Sequence, residues 1–310
     1  MFRGIAIIMV LVSHYAAAMY VEPMYPELRE FIATWGIYGV DIFFLLSGYG
    51  LTKSADKNGI DGMFVLKRFV SAYLPYFFIV GICSLVDKAF TSWTDVFRFL
   101  IGYDYWYMAV LFSFYIMFMI FGKCGKFRDI LLTAGIILFT WILRKKGMSD
   151  FWELSNGAFL IGVFAASLEN RFGSKVGEFI KKSGLCSIAI VFMFLFGYIY
   201  SRTGEMWAEM TRSMCFSVAA LALCVCIQGG GIILPVIGKY SLYIYLLHLR
   251  LFWKFVYINE NWDYVISAAV AGVLTLVICV AVGFATEYNL NLIIKVAQKK
   301  KSVSEQKASN

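Results

Sequence analysis

Long apolar runs, interrupted by short polar or charged segments, extend along the whole chain. Several, such as 116–121 and 136–139, are apolar on every face, whereas the strands of a membrane barrel would alternate apolar and polar residues. Runs of about 17 residues or more can cross a hydrocarbon core of about 30 Å. The pattern therefore predicts an all-α, polytopic membrane helix bundle.

The breaks between the runs divide the chain into about ten predicted transmembrane helices. They are expected at 4–20, 31–51, 69–86, 105–122, 130–143, 152–168, 185–200, 213–228, 240–257 and 264–286. The connections are too short to hold a folded soluble domain. We expect one membrane domain over residues 1–294 and a basic tail, 295–310, that is disordered or rests on anionic headgroups.

The positions of the positive charges predict the orientation of the bundle. If ten helices alternate in direction, most of the 28 Lys and Arg residues fall on the side that holds the N-terminus. Cytoplasmic loops carry the excess of Lys and Arg, so both termini are expected to be cytoplasmic. One loop, 144–146, places three basic residues on the opposite side.

The composition narrows the class of protein further. Hydrophobic residues make up 61% of the chain and charged residues 15%, against about 45–50% and about 25% in soluble domains. The net charge of +8 is explained by membrane topology, so we expect no nucleic-acid partner. The seven cysteines include no Cys-x2-Cys pair, and no metal site is predicted.

The chain has only two histidines, His14 and His248, and both lie in the middle of apolar runs. An ionisable group at membrane depth costs about 2.5 kcal/mol or more, which makes each a functional hypothesis. Arg3 precedes His14 by eleven positions, about three helical turns or about 16 Å, so the two share one face. We expect Arg3 at the cytoplasmic mouth of the first helix and His14 near mid-bilayer.

Asp41 lies in the second predicted helix at an expected depth like that of His14. Its carboxylate could orient the imidazole for general base catalysis, and the alternative is a structural hydrogen bond between helices. Two roles stay open for His248, a hydrogen bond between helices and a part in catalysis. Its depth, like that of His14, favours a supporting role at the site. Ser47, one turn and a half beyond Asp41, is a supporting candidate that also suits close packing.

Two further pairs of residues are candidate site residues, although their positions in the membrane topology explain them equally well. Lys67 and Arg68 begin the third predicted helix, where topology alone favours basic residues. Trp106 and Tyr107 stand at the predicted outer end of the fourth helix, as expected of an interfacial aromatic belt.

Four segments resemble those of the acyltransferase-3 family of integral membrane proteins. They are the Arg-x10-His of residues 3–14, GVDIFFLLSG at 39–48, Lys-Arg at 67–68 ahead of Pro-Tyr at 75–76, and GKYSLYIYLLH at 238–248. The similarity spans nearly the whole chain in order. The family commonly has Arg-x2-Arg at the start of the third helix, whereas here Ser71 takes the second position.

The resemblance implies transfer of an acyl group, usually acetyl, from cytoplasmic acyl-CoA to a hydroxyl of an extracytoplasmic glycan. It places the protein in the bacterial plasma (inner) membrane, with His14 essential and with Arg3 and Arg68, beside Lys67, near the donor. Acyl-CoA is then a donor substrate, and no permanently bound cofactor is expected. The expected partners are a free or lipid-linked glycan, membrane lipids and polysaccharide-assembly proteins.

Several alternatives stay open at this point. His14 could deprotonate the acceptor hydroxyl or accept the acyl group covalently. A proton-coupled secondary transporter could use His14 and Asp41 as a relay, although no internal repeat is visible. A membrane scaffold for polysaccharide synthesis would tolerate substitutions at Arg3 and His14.

Overall fold

A computed structural model describes residues 1–18, 26–227, 229, 231–256, 270–288, 291 and 295. Within these residues every regular element is helical. The chain divides into two compact units. Unit 1 comprises 1–59 and 105–238, and unit 2 comprises 60–104 and 239–310.

The α-helices are numbered in chain order. They are α1 Phe2–Ala18, α2 Pro26–Ala33, α3 Trp35–Asn58, α4 Gly62–Arg68, α5 Leu74–Val86, α6 Trp93–Ile101, α7 Trp106–Phe121, α8 Arg128–Lys145, α9 Asn156–Phe172, α10 Lys175–Lys182, α11 Leu185–Thr203, α12 Met206–Cys226, α13 Ile233–Lys239, α14 Ser241–Val256 and α15 Val270–Tyr288. A π-helix, Phe69–Tyr73, joins α4 to α5, and single 3-10 turns at Gly125–Phe127 and Asp150–Trp152 precede α8 and α9.

Each of the ten predicted helices is found as a helix, apart from end residues that lie outside the described part of the chain. Six of the described helical segments are long and apolar enough to cross a membrane, or seven if α6 and α7 form one broken span. Helices α1 and α14 are apolar but shorter. The structure therefore supports a multi-pass helical membrane protein, and ten spans and cytoplasmic termini stay predictions.

Helix α3 is the centre of unit 1, where α1, α9 and α12 pack against it. Gly48 meets the backbone of Phe159, and Gly162 meets the carbonyl of Leu45, so closely that a Cβ at either glycine would overlap the facing helix. Small residues of this kind let membrane helices approach through their backbones. The two contacts hold α3 and α9 side by side, and the helices run parallel, since Asp41 lies next to Ser155 and Asp56 bonds to Asn170.

Helix α1 runs antiparallel to α3, and contacts along its length define the register. The Ser13 hydroxyl donates to the carbonyl of Ala33, and Gly39 faces Ala6 and Val10 so closely that no side chain fits there. At the start of α1, Gly4 packs against the backbone of Leu234 in α13. The helix is thus held at both ends.

The far end of α3 is joined to α8 and α9 by polar contacts. Asp56 pairs with Arg128 and accepts a 2.5 Å hydrogen bond from Asn170. Lys53 lies 3.2 Å from Glu169, which also accepts from the Tyr49 hydroxyl. These residues follow the apolar part of α3, so their charges lie beyond the expected hydrocarbon region.

Unit 2 contains the third, ninth and tenth predicted helices. Tyr76 in α5 is buried, stacks on Phe99 of α6 at 5.6 Å and donates a 2.6 Å hydrogen bond to its carbonyl. Gly283 of α15 packs against Tyr240 and Tyr243, where a Cβ would come within 2.6 Å of the Tyr240 ring.

Two features of the fold differ from the sequence prediction. The short helices α2, α4, α6, α10 and α13 were expected to be loops, because they are too short or too polar to register as apolar runs. Helix α12 begins at Met206, seven residues before the predicted boundary of 213. Charged residues near 209–212 suggested a loop there, but they pair with each other inside the helix.

Candidate functional site

Arg3 lies in the first turn of α1, and its side chain is exposed. Because Ala6 packs with Ile42 in one apolar cluster and the helices are antiparallel, Arg3 lies level with about residues 43–46 of α3. Helix α3 continues to Asn58, about 20 Å further along its axis. Arg3 is nevertheless exposed, so its guanidinium is available to a ligand at this depth. The position of Arg3 at the cytoplasmic mouth of the helix stays a prediction.

Ser47 and Tyr107 lie beside this arginine. The Tyr107 phenol lies next to the Ser47 side chain and within electrostatic range of Arg3. The Tyr107 ring is buried and stacks on Phe44 at 5.1 Å. The structure therefore brings together three sequence-predicted site residues, Arg3, Ser47 and Tyr107.

The prediction that Trp106 and Tyr107 belong to an interfacial aromatic belt is wrong for Tyr107. The two neighbouring side chains point in different directions. Tyr107 points into the core of unit 1 and is only 6% exposed, which an interfacial residue would not be. Trp106 points the other way, towards Phe151 in the turn before α9, at a ring distance of 6.3 Å. The direction of a side chain around a helix, rather than its distance from the end, decides which one joins the site.

His14 lies near the other end of α1, about 16 Å along the axis from Arg3 and on the same helical face. Its neighbour Ser13 bonds to Ala33, so the imidazole is level with the junction of α2 and α3. It is half-buried. The single helix α1 thus carries the arginine and the histidine at its two ends, as the spacing predicts.

The predicted pairing of His14 with Asp41 is not formed. Asp41 is about seven residues, or about 10 Å, further along α3 than the point that faces His14. Its carboxylate instead accepts a 2.7 Å hydrogen bond from Ser213 of α12 and lies next to Ser155 at the start of α9. The equal depth of His14 and Asp41 was inferred by counting residues from the ends of two separate helices. The observed register of α1 against α3 places the two residues at different levels.

Asp41 is fully buried and joins α3 to α12. Near it on α12, Glu209 and Arg212 form an ion pair one turn apart. Sequence reasoning missed both residues, since charges there were assigned to a loop. The available signal was their i, i+3 spacing at the start of an apolar run, which allows two opposite charges to pair on one helix.

In unit 2, Lys67 is exposed and Arg68 is half-buried at the end of α4. The Arg68 guanidinium lies over the Phe64 ring at 5.2 Å. The π-helix begins at the next residue. Pro75 follows, and it cannot donate to the carbonyl of Ser71, which accounts for a change of helical pitch at this point.

His248, also in unit 2, is 2% exposed. Its Nδ1 lies 3.1 Å from the carbonyl oxygen of Ile244 and 2.8 Å from that of Tyr245. The ring is therefore fixed against its own helix through one nitrogen.

Comparison with known proteins is consistent with these features. The family model described as an acyltransferase domain, of the acyltransferase-3 type, matches residues 1–284 of the chain. No curated protein and no solved structure matches the chain.

Proposed function

Because the chain belongs to the acyltransferase-3 family, we propose that it transfers an acyl group, usually acetyl, from cytoplasmic acyl-CoA to a hydroxyl of an extracytoplasmic glycan. The observation that carries the proposal is the single helix α1, with Arg3 exposed at one end and His14 about 16 Å away on the same face. A donor bound from one side and an acceptor bound from the other would meet along this face.

On the donor side, Arg3 is the principal binding residue. A guanidinium presents several N–H donors in a fixed plane and suits phosphate or carbonyl oxygens of the donor. The Tyr107 phenol lies within electrostatic range of Arg3 and next to Ser47. Lys67 and Arg68, in unit 2, are the other basic residues that the family resemblance assigns to the donor.

On the acceptor side, His14 is the proposed catalytic residue. The acceptor hydroxyl oxygen attacks the thioester carbonyl carbon, the C–S bond breaks, and CoA leaves as a thiolate. His14 takes the hydroxyl proton, which finally protonates the thiolate, so the imidazole is regenerated. In the covalent variant, the imidazole nitrogen first takes the acyl group from the thioester and the hydroxyl then removes it.

The test uses the full-length protein in proteoliposomes with [14C]acetyl-CoA and the polysaccharide of the native host as acceptor. We expect His14→Gln to abolish transfer of label while the protein still inserts and binds acetyl-CoA. An acid-labile label on the wild-type protein, absent in His14→Gln, would indicate the covalent variant.

Two outcomes contradict the proposal. Normal acylation by His14→Gln would remove the histidine from the chemistry. Proton-coupled solute uptake by liposomes that contain no acyl donor would favour a transporter.

A further inference from the structure

A cavity of about 430 Å³ lies in unit 1, bordered by α3, α9, α10 and α12. Apolar side chains from all four helices line it, among them Leu45, Ala165, Ile180 and Leu221. Sites for small molecules in proteins measure about 300–1,000 Å³ and are lined mainly by apolar side chains. The cavity therefore has the size and the lining of a binding site.

The charged group in the lining of the cavity is already paired. Glu169 of α9 lies 3.2 Å from Nζ of Lys53 and accepts a hydrogen bond from the Tyr49 hydroxyl. The other lining side chains that can form a hydrogen bond are Ser174 and Cys224. Because most of the surface is apolar and the carboxylate has its counter-ion, the part of a ligand that enters the cavity is apolar.

The helix α10 has an apolar face on the cavity and a basic face outside it. Val176 and Ile180 line the cavity, whereas Lys175, Lys181 and Lys182 are exposed. The helix contains a single acidic residue, so its net charge is positive. It follows the sixth predicted transmembrane helix, on the side predicted to be cytoplasmic, where anionic headgroups attract lysines. An anionic group is therefore favoured next to an apolar cavity.

Exposed apolar side chains lie next to the cavity on three of its helices. They are Leu168 and Phe172 of α9, Phe179 of α10 and Leu223 of α12, and each is 40% or more exposed. In a bundle that spans a membrane, large apolar side chains on the outside contact the acyl chains of lipids. The cavity thus adjoins the acyl-chain region of the bilayer as well as the basic face of α10.

The cavity and the proposed reaction residues lie on different sides of α3. Phe44 stacks on Tyr107 of α7, which is the side where Arg3 lies within electrostatic range. Tyr49 instead bonds to Glu169 of α9 and lines the cavity. A ligand in the cavity therefore leaves Arg3 and Tyr107 uncovered.

We propose that the cavity binds an anionic phospholipid, with one acyl chain inside the cavity and the phosphate at the lysines of α10. Such a lipid combines the two properties that the surroundings require, an apolar chain and a negative charge at one end of it. A soluble anion has no apolar chain, and a zwitterionic lipid has no net charge. The site is separate from the proposed reaction and does not depend on it.

The experiment counts the lipids that stay on the full-length protein. The protein is released from nanodiscs that contain equal amounts of dioleoyl phosphatidylglycerol and dioleoyl phosphatidylcholine, and native mass spectrometry identifies the lipids that remain after loosely bound ones are removed. We expect the wild type to retain one phosphatidylglycerol in preference to phosphatidylcholine. The double variant Lys181→Gln/Lys182→Gln should lower this preference by about tenfold, since it removes two cations from the headgroup position.

A second variant tests the acyl chain without changing any charge. A Cβ at Gly177 would lie 3.7 Å from a methyl group of Val225, which is an ordinary contact, so Gly177→Leu can fill part of the cavity. It should reduce retention of both lipids. Gly50→Leu is the matched control, because nothing lies within 4 Å of a Cβ there. For the charge change, the control is Lys123→Gln/Lys126→Gln, two exposed lysines between α7 and α8.

Several results would overturn the proposal. Equal retention of the two lipids, or wild-type retention in both test variants, would show that no such site exists. An equal loss in the control pair of lysines would mean general attraction to a basic surface. Displacement of the lipid by glycerophosphoglycerol, which has the headgroup but no chains, would indicate a soluble ligand, and displacement by acetyl-CoA would assign the cavity to the donor. A dimer without lipid would indicate a second copy of the chain.

Discussion

Nδ1 of His248 lies 2.8 Å from the carbonyl oxygen of Tyr245, three residues earlier in α14. A carbonyl oxygen can only accept, so Nδ1 carries a proton and the neutral ring has its basic lone pair on Nε2. The backbone contact therefore selects the tautomer in which Nε2 can act as a base or acceptor.

Because Nδ1 makes the backbone contact and Nε2 does not, a substitution can distinguish a structural role of His248 from a chemical one. In His248→Asn the amide replaces Nδ1 and keeps the backbone hydrogen bond but has nothing at the position of Nε2. We expect this variant to insert and unfold like the wild type and to lose about 100-fold or more in acyl transfer. Full activity of His248→Asn, together with a loss in His248→Gln, would mean that only the backbone contact matters.

Arg3 is expected to bind the donor rather than to take part in the chemistry. Arg3→Gln removes a charged donor and should raise KM for acetyl-CoA by about tenfold or more, since hydrogen bonds to charged groups contribute about 1.5–3 kcal/mol. Arg3→Lys should recover part of this loss. The matched control is Arg171→Gln at another exposed arginine. If Arg3→Gln lowered kcat without affecting KM, the binding role would be refuted.

Two glycines of α3 provide a matched test of the packing in unit 1. A Cβ at Gly48 would overlap the backbone of Phe159, whereas nothing lies within 4 Å of one at Gly50. Gly48→Ala should destabilise the protein by about 1–3 kcal/mol through overpacking. Gly50→Ala should be neutral or stabilise it by up to about 1 kcal/mol through helix propensity. Thermal unfolding in detergent measures both, and equal melting temperatures would contradict the close approach of α3 and α9.

Native cysteines can test the orientation. Cys124, between α7 and α8, and Cys226, at the end of α12, are exposed and fall on the side predicted to be cytoplasmic. A membrane-impermeant maleimide should label both in inverted vesicles and neither in intact cells, as read by peptide mass spectrometry. Labelling of Cys124 in intact cells would reverse the predicted orientation.

The sequence was sufficient for the helical class and for the positions of the long helices, because apolar runs are a strong and local signal. It was also sufficient for the shared face of Arg3 and His14, since that relation lies within one helix. Both inferences depend only on the spacing of residues along the chain.

Relations between helices were harder to predict. The partner of Asp41 is decided by the register of α1, α9 and α12 against α3. For α1 and α9, that register is set by close contacts at glycines rather than by the apolar pattern. The same limit hid Glu209 and Arg212: a hydropathy pattern treats two charges as the end of a membrane helix, although their mutual pairing reduces the cost of burying them.

The packing of Gly4 against Leu234 and of Gly39 against Ala6 has a mechanical consequence. With these two contacts near its first turns and the Ser13–Ala33 hydrogen bond near its other end, α1 cannot slide along its axis without separating from α3 and α13. Because Arg3 and His14 lie on this one continuous helix, the interval of about 16 Å along its axis stays constant as well. If the two groups serve one reaction, a flexible substrate arm, and not a moving helix, has to cover that length.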